Sequence, residues 1–73
     1  MDDAQILESE WRIARGEALL AHQRRIIAAI ELARRDASRS KERLSVLEDS
    51  QRLLIAGRDQ LRMRDARRRR DRA

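Results

Sequence analysis

The sequence predicts an all-α protein: a two-helix antiparallel hairpin, coiled-coil-like, that self-associates into a four-helix bundle. Three observations carry this expectation. Large aliphatic side chains recur at helical spacing in two separate stretches, Ile6 to Leu32 and Leu44 to Leu61. The residues that build strands are nearly missing, with one valine and no threonine, tyrosine or phenylalanine. Between the two stretches, Arg34 to Arg43 contain no large apolar side chain, no glycine and no proline.

The first helix is expected over about residues 3–35. Asp2 and Asp3 are suited to cap its start, with Gln5 three residues after Asp2. Ile6, Ile13, Leu20 and Ile27 then recur every seven residues, and Ile30 extends that seam. Leu19 and Ile26 flank it. Leu7, Trp11, Ala14, Ala18 and Ala21 form a second apolar stripe. A helix that is apolar on more than one side implies two neighbours. Trp11, a large side chain among alanines, is expected in the core or at a dimer interface, with an exposed contact for another partner as the alternative. Gly16 and Gly57 read as places where helices approach closely.

The turn is expected at about residues 36–40. A single straight helix would carry three turns there with no large apolar contact, the arrangement of a long antiparallel coiled coil with a second chain. Ser38 and Ser40 are good N-caps, Glu42 would sit in the first turn of a new helix, and Arg34 and Arg35 would end the old one. Ala37 stands where a left-handed C-cap would prefer glycine. The second helix is expected over about residues 41–66. Its seam is Leu44, Leu47, Leu54 and Leu61, widened by Val46, Leu53 and Ile55. Gln51 and Arg58 fall inside this stripe, where polar side chains lie at a boundary or fix register. Both helices begin acidic and end basic. Folding back therefore puts each acidic start beside a basic end, and antiparallel pairing is favoured.

Two helices alone enclose no core, and small single cores are marginal. The first helix has apolar surface left over after pairing. The expected solution is a homodimer of hairpins built on Ile6, Trp11, Ile13, Leu20, Ile27 and Ile30 against Leu44, Leu47, Leu54 and Leu61. Another helical protein is the other partner this surface would suit.

The segments Arg12–Arg15, Ile27–Arg35, Leu44–Asp49 and Arg58–Leu61, on either side of a short polar turn, resemble a group of short uncharacterised alphaproteobacterial helical-hairpin proteins. The likeness covers some fifty residues. This chain differs from the group in carrying Ala37-Ser38-Arg39-Ser40 at the turn in place of a Gly-His-Asp-Thr type, and Leu47 where the group tends to carry phenylalanine. The resemblance implies a fold and no activity.

Residues that could carry chemistry are scarce. His22 is the only histidine, and its neighbours one turn away, Ala18, Arg25 and Ile26, are not ligands. There is no cysteine, so neither a disulfide nor a thiolate site is available. No serine has a histidine near it in sequence. No catalytic residue, metal or cofactor is expected, and the protein reads as a non-enzymatic interaction protein. The longest apolar run, Ile26 to Ile30, is far short of the roughly 20 residues of a membrane span. The first dozen residues have the wrong sign for a secretory signal, so a cytoplasmic protein is expected.

Charge divides the chain into a hairpin, residues 1–61, and a basic tail, 62–73, continuing from the second helix. The hairpin holds 11 basic and 11 acidic side chains; the tail holds seven arginines and two aspartates, and so the whole net charge of +5. Arg64, Arg67, Arg68, Arg69, Arg70 and Arg72 could bind phosphates, which makes nucleic-acid association the alternative function. No aromatic side chain is interleaved for base stacking. Solubilising a helix end would also account for the tail.

Overall fold

The computed structural model describes residues 2–72; the terminal residues Met1 and Ala73, and the side chain of Asp2 that was expected to cap the first helix, lie outside what is described. Two helices account for most of it: α1 (Asp2–Leu32, 31 residues) and α2 (Ser38–Arg72, 35 residues). They run antiparallel and touch along their length, giving the helical hairpin that the two aliphatic repeats predict. The molecule measures 61 × 15 × 13 Å. Its radius of gyration is 17.3 Å, against about 11 Å for a compact domain of this length.

The seam follows the seven-residue spacing. From α1 it takes Ile6, Ile13, Leu20 and Ile27 on one row, and Gly16, Gln23 and Ile30 on the next. From the turn it takes Ala37 and from α2 Leu44, Gln51 and Arg58, with Leu47, Leu54 and Leu61 alongside. Ile13, Leu20, Ile27 and Ala37 are the buried apolar residues. Ile6, Ile30, Leu44, Leu47, Leu54 and Leu61 are half-buried. Trp11 is not part of this seam: it is 61% exposed on the outer face of α1, because its row lies away from α2. Leu7, Ala14 and Ala18 share that solvent-facing row.

The chain reverses at residues 33–37, three residues earlier than the 36–40 expected, so α1 ends at Leu32 rather than 35 and α2 begins at Ser38 rather than 41. The reason lies in the backbone of Arg34, which adopts φ 57°. Its N–H donates to the carbonyl of Glu31 (2.9 Å), and the N–H of Arg35 donates to that of Ile30 (3.0 Å). This pair of bonds satisfies carbonyls that would otherwise be orphaned at the end of α1. A non-glycine residue in this conformation costs roughly 1–2 kcal/mol. Because Arg34 takes it, Ala37 does not have to. The Ala37 carbonyl instead accepts the first bond of α2, from the N–H of Lys41 (2.9 Å), and the residue is buried between the helices.

Capping of α2 also differs from expectation. Asp36 performs it: its carboxylate accepts the Ser38 N–H (3.0 Å) and the Ser38 hydroxyl. Ser38 thereby becomes the first residue of the helix, and Glu42 falls beyond the first turn, which holds no acidic residue. The Ser38 hydroxyl, then the Ser38 N–H, hold the Asp36 carboxyl below its ordinary 3.8; Lys41 adds to this, while partial desolvation opposes it. At its other end α2 runs to Arg72, past the 66 expected, so the tail is regular helix.

Two substitutions at the turn test this geometry by thermal melting. Arg34→Gly removes the left-handed cost and is expected to stabilise the hairpin by about 0.5–1 kcal/mol, or a few degrees in Tm. Asp36→Ala is expected to lower Tm at neutral pH. The depressed carboxyl contributes fully above its unfolded value of 3.8 and loses that contribution as pH falls through the lower folded value. The gap between Asp36→Ala and the parent should therefore close in acid.

Candidate interaction faces

The two sides of the seam differ in chemistry. On one side, residues of α1 spaced by seven meet α2 across the hairpin. Arg24 pairs with Glu48 (3.8 Å), Glu31 with Lys41 (3.2 Å) and Glu10 with Arg62. Moving from Arg24 to Glu31 moves the partner back from Glu48 to Lys41; moving from Arg24 to Glu10 moves it forward to Arg62. The steps are equal, so one antiparallel register holds along the whole pair. Each exposed pair contributes about 0.2–1 kcal/mol, so together they choose orientation more than they supply stability. Glu10–Arg62 and Arg24–Glu48 follow the expected order of acidic starts and basic ends; Glu31–Lys41 reverses it, since the last turn of α1 holds no basic residue and the first turn of α2 no acidic one.

Glu17 is the member of that row with no cation across from it, since the matching position on α2 is Ile55. Its carboxylate accepts instead from Gln51 Nε2 (3.0 Å). Gln51 is 4% exposed, in the middle of the seam, and its Nε2 also donates to the Ile13 carbonyl (2.8 Å). Its Oε1 is buried with no hydrogen-bond partner. That oxygen fills the space over Gly16: a Cβ built there would stand 1.9 Å from it. Gly16 is thus a notch for a buried amide, the close approach expected of it. A second amide, Gln23, buried on the same face of α1, donates to the Ser40 carbonyl (3.1 Å). The sequence reading passed over Gln23; its signal was a polar residue seven after Gly16, on the inner row.

On the other side of the seam lies an open groove of about 240 Å³. Leu19 of α1 and Leu47, Ser50 and Leu54 of α2 form its walls, with Gly16 and Gln51 between them. Leu19 is 53% exposed. Arg12 and Arg15 border the groove, but both are engaged: Arg12 with Glu8 (2.8 Å), and Arg15 over the ring of Trp11, 4.9 Å from its centroid. Spacing by seven continues both walls, through Ile26 on α1 and through Gly57 and Leu61 on α2. A Cβ at Gly57 would meet nothing within 4 Å. Gly57 therefore marks no close approach within the hairpin, contrary to expectation, although a mid-helix glycine costs about 0.5–1 kcal/mol relative to alanine.

The tail occupies the end of α2. Arg64, Arg67, Arg68, Arg69, Arg70 and Arg72 are all exposed. Arg69 pairs with Asp65 (3.0 Å) one turn earlier, and Arg64 and Arg67 border a shallow depression with Gln60 and Met63. His22 is exposed, and among the described residues no three His, Asp or Glu side chains are grouped to hold a metal ion. Among the same residues, no helix is long and apolar enough to cross a membrane. No protein-family model, curated protein or solved structure matches the chain.

The notch is testable by a double-mutant cycle. Gly16→Ala alone is expected to lower stability by about 1–3 kcal/mol, because it displaces a buried amide from its partners. In a Gln51→Ala background the added methyl has room, and the same substitution should stabilise by about 0.5–1 kcal/mol. Denaturant titration of the four proteins reads the change of sign.

Proposed function

We propose that the protein is a cytoplasmic, non-enzymatic helical-hairpin module that acts by protein–protein contact and associates with itself, two hairpins forming a four-helix bundle. The observation that carries this is the imbalance of its apolar surface. Four apolar residues are buried, while Leu7, Trp11, Leu19, Ile26, Leu32, Val46, Leu53 and Met63 remain at least 36% exposed. Leu19 and Ile26 lie on one margin of the seam, beside the half-buried Leu47 and Leu54, and a second hairpin would cover that strip. Sedimentation equilibrium is expected to return twice the 8.6 kDa chain mass, with a melting midpoint that rises with protein concentration. Leu20→Glu, which charges a side chain only 4% exposed, should dissociate and unfold the protein together. A folded monomer at tens of micromolar defeats this reading.

A second reading is favoured by the helical order of the tail, which presents Arg64 and Arg67 side by side on the exposed surface. In it, the Arg-rich end of α2 binds nucleic-acid phosphates. It ranks below the first because the same hairpin brings Glu10 against Arg62, so part of the basic charge is met within the fold. Removing residues 64–73 should abolish salt-sensitive retention of nucleic acid; no retention by the intact chain at about 100 mM salt ends this reading.

A further inference from the structure

We propose that the groove side of the hairpin, with Leu19 and Ile26 on one wall and Leu47, Leu54 and Gly57 on the other, is the face that a second copy of this chain covers. This deepens the self-association proposed above and rests on it. The area fits such a partner. The chain exposes 6284 Å², where a compact monomer of 8.6 kDa would expose about 4,700 Å². The excess, about 1,600 Å², is what a standard interface removes from two partners together. One chain thus carries enough for a large, obligate contact.

The chemistry selects the side. The opposite side of the seam is spanned by Glu10–Arg62, Arg24–Glu48 and Glu31–Lys41, and covering it would strip water from these charges. Among the described residues no ion pair crosses the groove side, and its two bordering arginines are already held by Glu8 and Trp11. Gly57 supplies an independent indication. It weakens α2 and serves no contact inside the chain, yet it lies on the groove row between Leu54 and Leu61, with Ser50 one heptad before it. A glycine and a serine between leucines let another helix approach closely.

The test combines variants with the natural fluorophore. Trp11 is the only aromatic residue, so its quenching by acrylamide can be followed in the unmodified protein across the concentration range in which sedimentation shows dimer formation. Quenching should stay unchanged through the transition. Leu19→Lys, and Gly57→Arg, which has open space within the hairpin, should each raise the dimer dissociation constant roughly a hundredfold or more. Trp11→Ala should leave it within a few-fold of the parent. Shielding of Trp11 on association, or dimers of parental strength from both Leu19→Lys and Gly57→Arg, would overturn the assignment of this face while leaving self-association standing. A parent chain that stays monomeric removes both.

Discussion

Two helices laid side by side meet along a strip and enclose nothing, and that constraint shapes every other feature of this hairpin. Only a side chain aimed straight at the opposing helix can be hidden from water, so Ile13, Leu20 and Ile27, one per heptad, are buried, along with Ala37 and the amides Gln23 and Gln51, while the flanking aliphatic side chains are not. Fully burying each such isoleucine or leucine is worth about 1.5–3 kcal/mol, a small reserve against the entropy of ordering a chain of this length. The other aliphatic residues of the seam, Ile6, Ile30, Leu44, Leu47, Leu54 and Leu61, are half-buried, and those farther round, Leu7, Leu19, Val46 and Leu53, are exposed. The sides of the strip must therefore be closed by charge, as on one side, or left for something else to cover, as on the other.

A narrow oily strip would also slide. Aliphatic side chains at regular spacing are nearly indifferent to a shift of seven residues, and polar groups remove that indifference. Gln51 fits over Gly16 and nowhere else along α1, since no other glycine stands on that helix. The orphaned Oε1 shows that the fit is bought at a polar penalty, so the amide serves register better than it serves stability. The three ion pairs spanning the seam enforce the same alignment from outside. Buried amide and exposed charges agree on one register, as a chain with a single preferred pairing requires.

Much of this was legible in the residues. The repeat Ile6-Ile13-Leu20-Ile27 marks the inner row of α1 because it depends on spacing alone; the charge order marks only Glu10–Arg62 and Arg24–Glu48, since Arg34 and Arg35 fall beyond α1 and Glu42 beyond the first turn of α2. The turn was read three residues late, since Ser38 and Ser40 looked like caps while the left-handed conformation of Arg34 left no trace in its side chain. The size of Trp11 points to a packed position, but its angular place on α1 keeps it out of the seam within the chain. Gly57 looked like Gly16, and only the geometry separates a glycine with an amide against it from one facing open space.

The unequal sides of the seam give the molecule opposed responses to its solution. Adding salt screens Glu10–Arg62 and its companions, loosening the charged margin. Sulfate or phosphate does this too, yet strengthens the tendency of Leu19, Leu47 and Leu54 to leave water. No ionic strength therefore suits both margins at once. A medium that relaxes the charged border favours apolar contact along the other, so such salts shift this slender rod from holding itself by charge toward covering its groove.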